Sequence, residues 1–206
     1  MLTVGLTGSS GSGKGYVSEI FTEKGIPCID TDKVCREVYR KGHKCYEDLV
    51  CEFGGEILGS DGEIDRKALF DLTFSDPEKY RRLNSIAFTH ILKETKAWLK
   101  AMEEQGNEIA VVDAPMLYES GFDKLCDKVV CVIADRPTQI SRIVKRDGIS
   151  VSVAETRLDK QKKNLYYTSR ANYTLDNSAA NEIKIYAEAS RLIGVLRRFA
   201  RRKTSK

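Results

Sequence analysis

Histidine, proline and tryptophan are scarce in this 206-residue chain, which has two, four and one of them. With so few histidines, any zinc site would fall to the six cysteines. Cys28, Cys35, Cys45, Cys51, Cys126 and Cys131 form no Cys-x-x-Cys pair, so a zinc module is excluded on spacing. They read as reduced thiols, some buried as small hydrophobes. No apolar run approaches the roughly 18 residues needed to cross a bilayer. Met1-Leu2-Thr3-Val4-Gly5 lacks a basic segment leading into an apolar one and reads as a strand, not a signal peptide. These absences point to a cytoplasmic protein.

What is present is ordinary globular composition, with 41% hydrophobic and 31% charged residues and a net charge of +4. The length allows one domain, with room for a sizeable insertion. The positive excess crowds the C-terminus at Arg191, Arg197, Arg198, Arg201, Arg202, Lys203 and Lys206. Such a cluster suits nucleic acid, a membrane surface or a solvated helix end whose cations complement the dipole. No aromatic or groove-reading motif accompanies it, which favours the helix end. Neither a nucleic-acid nor a membrane partner is expected.

Leu2 to Leu6 is a short apolar run that ends at a glycine-rich loop, Gly8 to Gly15. Val17, Ile20 and Phe21 then share a helix face, and Ile26 to Ile29 reads as a second strand ending in Asp30-Thr31-Asp32. From Lys33 to about Gln105 the pattern is helical, with turns at Gly54-Gly55, Ser60-Asp61-Gly62 and Asp76-Pro77. Tyr80 to Glu104 reads as one long amphipathic helix. Strand patterns return at Ile109–Asp113 and Lys128–Ile133, both continuous enough for a covered parallel sheet. Helices are expected over Pro137–Arg146, Ser152–Asn164 and Ala179–Ala200, with a weak strand at Tyr173–Leu175. The fold class is therefore α/β, a parallel sheet of about five strands flanked by helices, with a helical insertion.

Gly8-Ser9-Ser10-Gly11-Ser12-Gly13-Lys14 fits the G-x-x-x-x-G-K core of a P-loop, between a strand and a helix. Glycines let the backbone turn successive N–H groups onto phosphate oxygens, and the helix N-terminus adds its dipole. Lys14 then serves as a point charge for the β- and γ-phosphates. The hydroxyl residue that normally follows the lysine and ligates Mg²⁺ is Gly15 here, then Tyr16. The metal falls to phosphate oxygens, water and another group, with Ser12, Ser18 and Asp113 as candidates. Asp30 and Asp32 end the second strand, where open α/β sheets bind ligands. One carboxylate there can accept a proton from an attacking hydroxyl, and one can cap the next helix.

Nearly the whole chain resembles the dephospho-coenzyme A kinases. The resemblance runs through Gly5-Leu6-Thr7-Gly8, the Gly11 to Lys14 loop, Gly25-Ile26-Pro27 and Ile29 to Asp32. It continues with Phe53-Gly54, Asp61 to Leu69, Phe74, Leu83-Asn84 and Pro115-Met116-Leu117-Tyr118-Glu119. Gln139, Arg142, Arg146-Asp147-Gly148, Gln161 and Asn177 complete it. It implies transfer of the γ-phosphoryl group of ATP, with Mg²⁺, to the 3′-hydroxyl of dephospho-CoA. It also implies a nucleotide-binding core (1–32 and 107–206), an acceptor-binding helical insertion (33–106) and a helical lid (about 137–165). By position Asp32 is the implied base and Lys14 the neutralising cation, with Arg142 and Arg146 arriving from the lid. Gly8, Gly11, Ser12, Gly13, Lys14, Gly15 and Tyr16 form the implied ATP loop. Arg66, Pro115, Leu117 and Glu119 shape the implied acceptor side, with Asp32.

Three positions depart from the family pattern. Gly15 lacks the hydroxyl, Phe88-Thr89 replaces His-Pro with His90 two residues on, and Asn172 replaces an Asp. The residues leave open another P-loop small-molecule kinase, and a nucleotide-binding regulatory protein without turnover.

Overall fold

The computed structural model describes residues 1–178 and 181–204. The chain divides into two compact units, Met1–Ile29 with Leu99–Lys206, and Asp30–Trp98.

The first unit is built on a five-stranded parallel sheet of order β2-β3-β1-β4-β5. The strands are β1 (Leu2–Thr7), β2 (Cys28–Asp30), β3 (Ile109–Asp113), β4 (Lys128–Ile133) and β5 (Tyr173–Asp176). All six residues of β1 and all five of β3 are buried, as expected of strands covered on both faces. Leu2 lies beside Ile109 and Leu6 beside Asp113, so β1 and β3 bring Thr7 and Asp113 out at the same end. On the other side Thr7 lies beside Cys131.

Helix α1 (Lys14–Glu23) buries Val17, Ile20 and Phe21, the face that the sequence spacing marks. Those side chains join Leu6, Val130 and Leu196 in one core cluster. The last helix, α9 (Glu182–Thr204), adds Ile185, Ala189 and Ile193 to the same core. Ala179, where that helix was expected to begin, lies outside the described residues, as does Lys206. Part of the basic tail serves the core directly. Arg197 donates to the Lys24 carbonyl (2.8 Å), and Lys203 binds Asp127 (2.7 Å) and the Met1 carbonyl (3.1 Å).

Helix α6 (Arg136–Asp147) is capped by Asp135, whose carboxylate accepts the Thr138 N–H at 2.8 Å. The helix expected over Ser152–Asn164 is two helices, α7 (Val151–Asp159) and α8 (Asn164–Thr168). The break falls at Gln161, where the chain tightens with its N–H on Leu158 O (3.1 Å). Its side chain leaves the helix direction and accepts the Ser10 N–H (2.9 Å), a long-range bond invisible to periodicity.

The second unit is helical: α2 (Thr31–Val38), α3 (Lys44–Phe53), α4 (Arg66–Phe74) and most of α5 (Pro77–Glu104). Helix α5 begins three residues earlier than the apolar pattern marks. Asp76 caps it through the N–H groups of Glu78 (2.9 Å) and Lys79 (3.1 Å), and Pro77 suits the first helical position. Leu49, Ile57, Leu69, Ala87 and Ile91 are buried. The Asp61-Gly62 turn is closed by Gly62 N–H to Gly59 O (3.0 Å), and Leu58 pairs antiparallel with Ile64. Asp65 then caps α4. Among the described residues no helix is long and apolar enough to cross a membrane. The six cysteines are unpaired.

The core places Phe21 at 0% exposure and leaves Phe70 at 49%. Urea unfolding is expected to show Phe21→Ala losing about 3–5 kcal/mol. Phe70→Ala is expected to lose less than about 1 kcal/mol.

Candidate active site

The loop between β1 and α1 passes three times through conformations that side chains resist, first at Gly8 with φ 153°. Gly11 has φ 76° and Gly13 has φ 88°. A Cβ at Gly11 would lie 2.6 Å from the Gln139 carbonyl oxygen, and one at Gly13 would overlap Asn177 Nδ2. Space and backbone angle both demand glycine. The first bond of α1 runs from Val17 N–H to Gly13 O (3.3 Å). The amides of Lys14, Gly15 and Tyr16 therefore precede the helical ladder and point out of its N-terminus. The Tyr16 ring is partly buried against the core, so what it offers the loop is its N–H.

Lys14 forms an ion pair with Asp113 at the end of β3, with side-chain exposures of 16% and 6%. That pairing keeps a buried carboxylate and a nearly buried ammonium compensated. The Ser12 hydroxyl is buried without a partner. An orphaned hydroxyl beside a phosphate loop, in a fold that also buries a carboxylate at β3, is a hard-oxygen donor set. It fits a divalent cation of the Mg²⁺ type. Among the described residues no group of three or more His, Cys, Asp or Glu converges, so any such cation relies largely on ligand oxygens. The third candidate, Ser18, lies on α1 with its carbonyl near Cys28 Sγ (3.7 Å).

The loop is held from outside by residues of α6, α7–α8 and the end of β5. Gln139 Nε2 donates to Ser9 Oγ (2.6 Å) and Ser10 O (3.0 Å). Arg142 Nη1 donates to Gly11 O and Ser12 O (both 3.2 Å), and its Nη2 to Asn177 O (3.0 Å). Asn177 Nδ2 donates to Ser12 O (3.0 Å). Arg146 Nη2 reaches Ser10 Oγ at 3.3 Å while its other contacts go to Asp147. Positions 139, 142 and 146 lie on one face of α6. Charge and spacing therefore flag Arg142 and Arg146, whereas nothing local flags the loop contacts of Gln139, Gln161 and Asn177.

In the second unit Asp30 caps α2, accepting the N–H groups of Asp32 (2.9 Å) and Lys33 (3.2 Å). Asp32 is exposed in the first turn and leaves its carboxylate outside that cap. Burial pushes the Cys35 thiol up, while Arg66 and Asp32 act on it in opposite senses. His90, the displaced histidine, bonds Asp48 at 2.8 Å.

The turn after β3 differs residue by residue. Pro115 accepts the Thr7 hydroxyl on its carbonyl (3.3 Å). Leu117 is fully buried, with its side chain where a Cβ on Gly5 would be, so it supports the turn from below. Glu119 is exposed beside Tyr166. The Tyr118 hydroxyl is buried without a partner, and burial pushes its phenol up to about 12. Asn172 both donates to Val129 O (2.9 Å) and accepts Val129 N–H (2.8 Å), which fastens β5 to β4.

The dephospho-CoA kinase family model matches residues 2–182. The chain belongs to the dephospho-CoA kinase family. A dephospho-CoA kinase of Aquifex aeolicus is 37% identical over 197 residues, covering 93% of this chain and 99% of that protein. One from Fusobacterium nucleatum is 34% identical over 179 residues, covering 87% and 91%. A crystal structure of a Thermus thermophilus protein shares the fold, with a TM-score of 0.82 at 24% identity, covering 94% and 96%.

Asp147, at the end of α6, is held at about 2 by the guanidinium of Arg146 and then that of Arg157, against burial, which pushes the other way. A carboxyl depressed below its ordinary 3.8 stabilises the fold above that value. The contribution is lost as pH falls toward 2. Asp147→Asn is expected to be less stable than the parent near neutral pH. In thermal melts across a pH series, the difference should close at the acid end.

Proposed function

We infer that this chain transfers the γ-phosphoryl group of ATP to the 3′-hydroxyl of dephospho-CoA, giving coenzyme A and ADP at the last step of CoA synthesis. The observation that carries the reading is the reach of the family match, residues 2–182. It spans the phosphate loop and also the whole 30–98 unit. A working place in the cytoplasm belongs to the same reading.

Phosphoryl transfer needs alignment and charge compensation more than covalent chemistry. The loop from Gly8 to Tyr16 offers its amides to the phosphates, and Lys14 turns from Asp113 toward the transferring group. Asp32 takes the proton of the attacking 3′-hydroxyl, a role open to it because Asp30 provides the cap. Arg66 meets acceptor phosphate, with the Pro115 to Glu119 turn, underpinned by Leu117, shaping the acceptor side. Arg146, only loosely tied to the loop, reaches ATP phosphates from a lid of residues about 137–165. Arg142 supports the same phosphates through the loop, by holding the Gly11 and Ser12 carbonyls outward. Ser12 and Asp113 would hold the Mg²⁺ that accompanies ATP, whose charge would offset that of the phosphates.

Purified protein incubated with ATP, Mg²⁺ and dephospho-CoA is expected to form CoA, followed by mass spectrometry. Asp32→Asn is expected to lower the rate at least about 100-fold, the usual scale of a positioned base. ATP binding without CoA formation by the folded parent would overturn the reading and favour a regulatory role. Gly15→Ser restores the missing hydroxyl at a position where a Cβ meets nothing within 4 Å. It is expected to fold at least as well as the parent, gaining a few tenths of a kcal/mol. It is also expected to reach half-maximal rate at lower Mg²⁺. An unchanged Mg²⁺ dependence would exclude a metal role for that hydroxyl.

A further inference from the structure

A loop that turns its N–H groups inward to phosphate must direct its carbonyls the other way. In this chain the carbonyls of three consecutive loop residues meet side-chain donors. Ser10 O takes Gln139, Gly11 O takes Arg142, and Ser12 O takes Arg142 and Asn177. Gln139 does more than close one bond. Its side chain is nearly buried, at 6% exposure, and the same Nε2 donates to Ser9 Oγ. Its backbone carbonyl is the atom closest to where a Cβ on Gly11 would stand. Helix and loop therefore meet at residue 139 through backbone and side chain together. The amide orientation is fixed by chemistry, since Ser10 O only accepts and must face the NH₂ group.

We propose that Gln139 is a positioning residue for the phosphate loop. It does not touch ATP. It holds the Ser9–Ser10 corner so that the loop amides already converge before phosphate arrives, which lowers the ordering cost of binding. The proposal rests on the reading of this loop as the ATP phosphate site. It assigns Gln139 to nucleotide affinity and leaves the chemical step to Lys14, Asp32 and the acceptor.

The test uses Gln139→Met, which keeps side-chain length and apolar fit but removes both donated bonds. Affinities for ADP and for inorganic tripolyphosphate are measured by calorimetry well below the melting temperature. Both are expected to weaken about tenfold, the scale of two ordinary hydrogen bonds. KM for ATP should rise in parallel. The rate at saturating ATP should stay within about twofold and KM for dephospho-CoA should not change, because only ground-state loop order is lost. A lower melting temperature with unchanged ADP and tripolyphosphate affinity would overturn the proposal in favour of a purely structural role. A fall in kcat with unchanged KM for ATP would overturn it in favour of action on the transferring group. If Gln139→Met does not fold, Gln139→Glu keeps the length and an acceptor for the Ser9 hydroxyl but cannot donate to Ser10 O. The same loss of affinity is expected of it, and unchanged affinity would overturn the proposal. A parent protein that binds ADP but forms no CoA would overturn the functional reading while leaving the affinity comparison valid.

Discussion

The geometry of the phosphate loop depends on where its carbonyls go. Amides can gather around an anion only if the intervening peptide oxygens are turned outward and satisfied there. Here the outer side of the loop is lined by Gln139, Arg142 and Asn177, which come from α6 and the end of β5. The rest of the first unit can be understood as what delivers those three side chains. Strand β5 is fastened to β4 by Asn172, α6 is started by the Asp135 cap, and Gln161, between α7 and α8, holds the Ser10 amide. An arginine behind the loop also adds positive charge at the oxygen ends of peptides whose N–H ends face the ligand, so the two polarities reinforce one another.

Lys14 and Asp113 illustrate how the same site handles charge. Both side chains are largely buried, and each compensates the other. On the proposed function, incoming phosphate would replace that single pair with a larger set of alternating charges. The Ser12 hydroxyl, buried in the loop without a partner, stands beside this pair as an uncommitted oxygen.

The strands and the loop were legible because their signals are local. Continuous apolar runs gave the buried strands, and the glycine spacing between β1 and α1 marked the phosphate site. The resemblance to the kinase family was readable for the same reason, since its motifs are contiguous strings. Asp30 and Asp32 could not be separated by spacing alone. The cap geometry separates them, with Asp30 bonded to two amides and Asp32 outside that cap. The break between α7 and α8 was not legible, because no glycine or proline marks it; within it Gln161 bonds Ser10 across 151 positions. Leu117 sits in a motif associated with the acceptor, yet it is fully buried, a distinction that only packing reveals.

The fit around Gly11 and Gly13 constrains how such a loop can change over generations. At each position any replacement adds a carbon where Gln139 or Asn177 already stands, in a backbone conformation that penalises it as well. No single missense change there is conservative, whatever its chemistry. The serines of the loop are constrained in their own way, with Ser9 buried under the Gln139 amide and Ser12 fully buried, which leaves Ser10 the most room to change without losing the bend.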